Sequence, residues 1–232
     1  MARPKKKTAL VLRTCKSDLT SRGGFQWADV GGTTVAEDWI ENKECGNGLH
    51  GWLFGSGDYS YSNYLDADSK WMVLEVDLKS IVMLGEKCKF PKAKTLFVGD
   101  KKSAADYLIT NEPRAKNVSV IGASLEVGDN GSVLVGALGT ATAGDWGTAT
   151  AGASGTATAG ASGTATAGYK GTATAGYKGT ATAGASGEIR IQYWDAKAER
   201  YRTAIGYIGE DGLKADTAYK LDENHKFVEA ED

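Results

Sequence analysis

Cys45 and His50 stand in one glycine-rich stretch and are the only Cys/His pair close together in the 232-residue chain. Two chemistries fit such a pair. A thiolate beside a histidine is a nucleophile, and thiolates with imidazoles hold zinc. Structural zinc normally takes four ligands. Cys15, Cys45, Cys88 and His50 supply the types, but not the close Cys-x-x-Cys spacing that makes the pattern specific. His225 is the one remaining histidine. The plainer reading is a tight glycine turn with His50 hydrogen-bonded, and it predicts no metal, no cofactor and no catalytic cysteine.

A wider constellation joins Arg13 on a predicted first strand, the glycine-rich segment with His50, and Glu75 on a later strand. This order loosely resembles the layout of ADP-ribosyltransferases. The resemblance implies that the glycines let the backbone approach a dinucleotide, that Arg13 or His50 holds it, and that Glu75 positions its ribose. Gly55-Ser56-Gly57-Asp58 lacks the spacing of a phosphate loop and reads as a turn. Tyr59, Tyr61, Tyr64, Trp52 and Trp71 form an aromatic-rich region that reads as core packing.

These residues call for an α+β domain over 1–116 to position them. Thr8 to Thr14 and Trp71 to Leu78 are apolar runs of strand type, with shorter strands at Ser80 to Leu84 and Thr95 to Val98. Ala36, Trp39 and Ile40 have helical spacing within Thr34 to Asn42, and Lys102 to Thr110 repeats it through Ala105 and Leu108. The stretch from Cys45 to Tyr64, with five glycines, reads as loop.

From Ala123 the chain changes character. Six copies of Gly-Thr-Ala-Thr-Ala-Gly recur every eight residues between Gly139 and Gly184. A short period of small and β-branched residues predicts a parallel β-solenoid over 117–194, with about 16 residues, or two octads, per coil. Period-two alternation puts threonines on one face of each strand and alanines on the other. The flanking octads decide which is inside. Leu125, Val127, Val133, Val135, Ile189 and Ile191 share the alanine phase, whereas Glu126, Glu188 and Arg190 share the threonine phase, so alanines face inward. Leu134 dissents. Glycines in the Gly-x-x-Gly corners are expected to supply the positive φ of a sharp bend. Residues 195–232 read as a β cap over the open end.

This places Thr140, Thr142, Thr156, Thr158, Thr172 and Thr174 on one outer face. Thr148, Thr150, Thr164, Thr166, Thr180 and Thr182 lie on the other. Tyr169, Lys170, Tyr177 and Lys178 fall at corners and are candidate binding residues, the two tyrosines on opposite edges.

The run GTATAGYKGTATAGYKGTATAG resembles the octapeptide arrays of bacterial ice-nucleation proteins and, more loosely, the Thr-x-Thr ladders of insect β-solenoid antifreeze proteins. That resemblance implies outward hydroxyl rows that order water, here over an array far shorter than a nucleator's. The whole chain is also similar to a group of uncharacterised phage and bacterial proteins. The residues that carry this likeness are Cys45-Gly46-Asn47-Gly48-Leu49-His50-Gly51-Trp52 and Tyr193-Trp194-Asp195.

Charge sets the remaining bounds. Twenty-seven basic and 29 acidic side chains leave a net charge of −2, which implies no general attraction to nucleic acid. The basic cluster Arg3 to Lys7 reads as a solvated tail. No apolar run reaches the ~18 residues of a membrane span, and the start lacks a signal-peptide core. Sparse cysteines point to a reducing, cytoplasmic setting, that of the host if the chain is phage-encoded. The expected function is a non-enzymatic structural or interaction protein with a threonine-rich solenoid surface. A protein partner or self-association, such as a homodimer, is expected. The alternatives are an ice- or water-binding array and an ADP-ribosyltransferase-like nucleotide-binding domain.

Overall fold

The computed structural model describes residues 7–231, so of the basic cluster only Lys7 falls within it. The chain divides into two units, Met1–Val120 and Ile121–Asp232. The division lies just beyond residue 116 because the 3-10 turn Pro113–Asn117 packs back on the first unit and buries Ala115.

The first unit is a seven-stranded sheet. In chain order its strands are β1 (Thr8–Cys15), β2 (Thr33–Val35), β3 (Leu49–Leu53), β4 (Lys70–Asp77), β5 (Val82–Met83), β6 (Cys88–Phe90) and β7 (Lys92–Gly99). In space the order is β2-β7-β4-β1-β3-β6-β5, and neighbouring strands are antiparallel. Val11, Cys15, Met72, Leu74, Cys88, Phe90 and Trp27 bury one face. Residues of opposite parity, Leu10, Leu12 and Val73, are equally buried. Helix α1 (Lys101–Asn111) starts on Asp100, whose carboxylate accepts from the Ser103 N–H at 2.8 Å, an N-cap that satisfies one free helix donor. It lies against β1, β4 and β7, with Ala104, Ala105 and Leu108 buried. Beyond it, buried Glu112 accepts from Arg114 Nε at 2.7 Å and from the Leu10 N–H at 3.2 Å, which ties the end of the unit to β1.

Two expectations for this unit are overturned. Thr34 to Asn42 is not a helix: Thr33–Val35 pairs with Lys92–Lys94 instead. The residues after it serve a buried lysine. Lys89 Nζ donates to Asn42 Oδ1 at 2.5 Å and to the Glu44 carbonyl at 2.9 Å, and lies 5.6 Å from the Trp39 ring. Satisfying a buried ammonium outweighs a weak helical spacing. The glycine-rich stretch is also more than loop, since Leu49–Leu53 is an internal strand. Gly51 is needed there because a Cβ would stand 2.4 Å from Val11 Cγ1 and 2.7 Å from the Leu12 carbonyl oxygen. The strand expected at Ser80 to Leu84 shrinks to Val82–Met83.

The second unit is the solenoid. Its rungs are β8 (Ser124–Val127), β9 (Ser132–Val135), β10 (Thr140–Ala143), β11 (Thr148–Ala151), β12 (Thr156–Ala159), β13 (Thr164–Ala167), β14 (Thr172–Ala175) and β15 (Thr180–Ala183), followed by β16 (Glu188–Asp195). Alternate strands stack in parallel, Thr140 on Thr156, Thr156 on Thr172 and Thr172 on Glu188, so each coil is 16 residues. Two six-stranded sheets result, β17-β16-β14-β12-β10-β8 and β19-β18-β15-β13-β11-β9. Ala141, Ala149, Ala157, Ala165, Ala173 and Ala181 are fully buried between them. Val133, Val135, Ile189 and Ile191 fill the interior at the ends, while Leu134 points outward and is 54% exposed. The cap consists of β17 (Arg200–Tyr207), antiparallel to β16, and the hairpin β18 (Tyr219–Leu221) with β19 (Phe227–Glu229), which joins β15 at Ala181. Reversing strand direction stops the parallel stack and covers its edge.

The corners overturn a third expectation. Positive φ falls on the third corner residue, not on glycine: Leu138, Trp146, Ser154, Ser162, Lys170, Lys178 and Ser186 all lie between 53° and 59°. These residues donate their N–H groups along the column. Trp146 N bonds the Ala161 carbonyl at 2.8 Å and Ser162 N bonds the Tyr177 carbonyl at 2.8 Å. The glycines serve close approach instead. A Cβ on Gly160 would lie 2.7 Å from Asp145 N and from Gly144 C in the coil before.

Candidate functional sites

The threonine faces follow directly from this register. Three successive rungs of one sheet, β10, β12 and β14, carry Thr140/Thr142, Thr156/Thr158 and Thr172/Thr174; β11, β13 and β15 carry the other six. Rungs repeat at ~4.8 Å, and the two threonines of one strand stand roughly 6.7 Å apart. Each face is therefore a two-column hydroxyl lattice three rungs deep. Among the described residues, no side-chain hydrogen bond engages any of these hydroxyls. The borders differ. Glu126 precedes Thr142 on the first face, and the Glu188–Arg190 ion pair, 2.5 Å, follows Thr174. Leu134 precedes Thr150 on the second.

The corner residues do not form a ladder. Ser154 N bonds the Tyr169 carbonyl and Ser162 N bonds the Tyr177 carbonyl, which places the tyrosines on opposite edges of the column. Lys170 and Lys178 fold their ammonium groups over Tyr169 and Tyr177, 5.2 and 5.3 Å from the ring centres. Tyr177 meets Tyr201 edge-on at 6.0 Å, and Tyr201 meets Trp194 at 5.1 Å, all three exposed. A second signal on the Tyr177 edge was not anticipated from sequence: Asp129 Oδ1 accepts from the Asp145 N–H at 2.9 Å, and Asp145 Oδ1 from the Ala161 N–H at 2.7 Å.

The first unit holds a pocket of about 970 Å³, lined from β1, from the 21–28 segment, and from the stretch around Cys45 to Trp52. It opens where β1 and β3 cease to pair, after Val11↔Leu53 and Leu12↔Trp52. Arg13 Nη1 donates to the His50 carbonyl across this parting at 2.7 Å. The guanidinium lies 4.5 Å from the Trp27 ring centre, and its Nε is shut off from solvent without a partner. Burial pushes the Arg13 guanidinium down to about 10, with neighbouring Cys15 and Tyr64 opposing the shift. His50 is not in the turn expected of it, although it keeps a hydrogen bond with the Gly48 backbone. It lies in β3 with Nε2 buried and unpartnered. Burial, then the charges of Lys87, Arg13 and Lys89, push it down to about 4, so the imidazole is neutral near pH 7.

Glu75 is elsewhere. Arg13 is level with Met72 on β4, and Glu75 lies three positions further on, so the two side chains leave opposite faces of the sheet. Glu75 accepts instead from the Thr8 hydroxyl at 3.2 Å. The three residues expected to act together are thus reduced to two, Arg13 and His50. Cysteine chemistry is similarly divided. Cys15 and Cys88 are buried, where burial pushes their thiols up to about 11 and about 12, while exposed Cys45 lines the pocket. Lys87 Nζ, 3.0 Å from Cys45 Sγ, lowers that thiol's pKa by hydrogen bonding, against a smaller desolvation effect. Of the aromatic region, Trp52 and Trp71 are core, stacked at 6.3 Å, whereas Tyr61 is exposed and lines the pocket. Trp27 had no distinguishing signal in sequence.

Comparisons with known proteins give two sets of matches. Residues 9–109, from β1 into α1, match a family described as a domain of unknown function, DUF7666. An ice nucleation protein of Pseudomonas syringae is 36% identical over 102 residues, 43% of this chain and 9% of the relative. One from Xanthomonas campestris pv. translucens is 33% identical over 120 residues, 51% of this chain and 7% of the relative. The ice nucleation protein InaU of Pantoea ananas is 35% identical over 107 residues, 45% of this chain and 10% of the relative. The chain thus spans a tenth or less of the length of these curated relatives. No solved structure matches. The chain is similar to ice nucleation proteins in its repeats, and it carries a repetitive threonine-rich β-solenoid surface.

Proposed function

We propose that this chain is a non-enzymatic structural protein that works through its solenoid surface, and that the threonine faces take ordered water, and so ice, as their ligand. One observation carries the reading. Twelve hydroxyls stand in fixed rows on two faces, with no charged or aromatic side chain inside either array. Protein-binding hot spots are rich in Trp, Tyr and Arg, and the faces contain none. A rigid lattice of paired hydroxyl and methyl groups suits a crystalline surface better than an irregular one. The ice nucleation proteins named above support the same ligand. Three rungs per face fit adsorption to existing ice rather than nucleation, since a small template stabilises only a small nucleus.

The test is ice-recrystallisation inhibition and thermal hysteresis on the full chain, beside Thr158→Lys and Thr166→Lys, which put a charge at the centre of each face. Inhibition that both substitutions reduce supports the reading, and an inactive wild type overturns it.

A second reading is favoured by the exposed cluster of Tyr177, Tyr201 and Trp194. There the ligand is a protein partner or a second copy of this chain, docked at the corner residues Tyr169, Lys170, Tyr177 and Lys178. Light scattering at rising concentration tests self-association, and Tyr177→Ser should abolish any dimer seen.

A further inference from the structure

We propose that the pocket of the first unit is a binding site for a small organic anion carrying a flat ring, with its oxyanion held by Arg13. The inference rests on no part of the threonine-face reading, which concerns the other unit.

Arg13 is the unusual group. A guanidinium remains charged at any physiological pH, and a charge withdrawn from water is costly unless it is paired. Here the chain supplies only half of what the group needs. Nη1 has the His50 carbonyl at 2.7 Å, and one face of the guanidinium has the Trp27 ring at 4.5 Å. Nε is buried without a partner. Among the described residues, no carboxylate lies within ion-pair distance of it. The nearest contrast lies in the same unit. Arg114 is likewise placed over an aromatic ring, Phe54 at 4.6 Å, but it makes a two-point contact with buried Glu112. Arg114 is complete and structural, whereas Arg13 lines a cavity with no carboxylate among the described residues paired to it.

The rest of the lining carries both signs, Arg22 and Lys87 against Glu37 and Asp38, so the excess positive charge is that of Arg13. Lys87 lines the same pocket, and its charge, with those of Arg13 and Lys89, bears on His50. Asp38, an acid of the rim, already accepts from the Gly48 N–H at 3.1 Å. Hydrogen bonds from a guanidinium to an oxyanion are charge-assisted and among the strong ones. The ring requirement comes from the walls. Phe25 stands edge-on to Trp27 at 5.5 Å, and Tyr61 and Tyr64 also line the cavity. At about 970 Å³ the space suits a ligand of nucleotide size rather than a bare ion. With Glu75 on the other face of the sheet, the site is one for binding, and no bond-breaking step is assigned to it.

The experiment is a titration of the full chain, by calorimetry and tryptophan fluorescence, with three probes: adenosine 5′-monophosphate, benzoate and uncharged adenosine. The expected result is saturable one-to-one binding of at least one anion, with adenosine weaker by about tenfold or more. Which anion saturates tells a phosphate ester from a carboxylate. Arg13→Gln should weaken binding by about tenfold or more, and Arg13→Lys, which keeps the charge but loses the fork, by less. Should Arg13→Gln fail to fold, salt reads the same point in the wild type: affinity for an arginine-held anion falls as ionic strength rises. Saturation by neither anion at roughly 10 mM, equal binding of adenosine, or affinity indifferent to both Arg13 and salt would each overturn the proposal.

Discussion

The Arg13 guanidinium and the His50 carbonyl are joined at 2.7 Å just beyond the last paired residues of β1 and β3. A side chain thereby takes the place of a ladder bond, and the strands part there instead of continuing their pairing. The bond holds a cation beside the imidazole, and this has a consequence for acid stability.

Unfolded His50 takes a proton near pH 6.5, whereas the folded residue resists until about pH 4. Between those values the unfolded chain binds a proton that the folded chain does not, so stability falls as pH drops through this window and is fully present above it. Urea unfolding of the first unit's transition should show a midpoint that declines from pH 6.5 to pH 4 more steeply in the wild type than in His50→Gln. Parallel curves for the two proteins would refute the buried, neutral imidazole.

Cys45 should be the single quick thiol. Lys87 stabilises its thiolate from 3.0 Å, while Cys15 and Cys88 are buried with thiols raised to about 11 and about 12. Iodoacetamide at pH 7 followed by peptide mapping should find one carboxamidomethyl group, on Cys45, and Lys87→Met should slow its formation several-fold. Labelling of Cys88 at a comparable rate would mean that the sheet's core opens readily.

The solenoid was legible because a fixed period and the charged flanks Glu126, Glu188 and Arg190 settle both the coil length and the inward face. The first unit was less so, and for identifiable reasons. Leu49–Leu53 is masked by the glycine that lets Val11 and Leu12 come close. Thr33–Val35 takes its conformation from Lys92–Lys94, a partner nearly sixty residues away that local spacing does not report. Arg13 and His50 were visible as candidates, but whether Glu75 joined them depended on strand parity. That is readable only from the β1–β4 register.

At the corners, glycine and non-glycine positions should behave in reverse of the usual turn rule. Gly160→Ala places a Cβ 2.7 Å from backbone atoms of the previous coil, and should cost about 2 kcal/mol or more, in the range of overpacking. Ser162 has φ +54°. Ser162→Gly releases left-handed strain of roughly 1–2 kcal/mol against a glycine entropy cost of about 0.5–1 kcal/mol, so the variant should be neutral to slightly stabilised. Thermal unfolding of the two variants side by side decides the matter, and a destabilised Ser162→Gly beside a tolerant Gly160→Ala would reverse the assignment.

The interior makes the sharpest demand on residue size. Ala157 is fully buried and stacked in register between Ala141 and Ala173, with a second sheet of alanines facing it. Larger side chains enter this interior only at the ends, as Val133 and Val135 before the repeats and Ile189 and Ile191 beside the cap. At mid-column the coils above and below repeat the same narrow section, so an added methyl has nowhere to go except against the opposite sheet. Ala157→Val should therefore cost about 1–3 kcal/mol, although valine favours strands. Thr158→Val, an almost isosteric change one residue away on the outer face, should alter stability by no more than about 0.5 kcal/mol. Urea midpoints for the pair measure the difference directly. Equal effects would mean that the two sheets have slack between them, and that the alanines are not what sets the separation of the threonine faces.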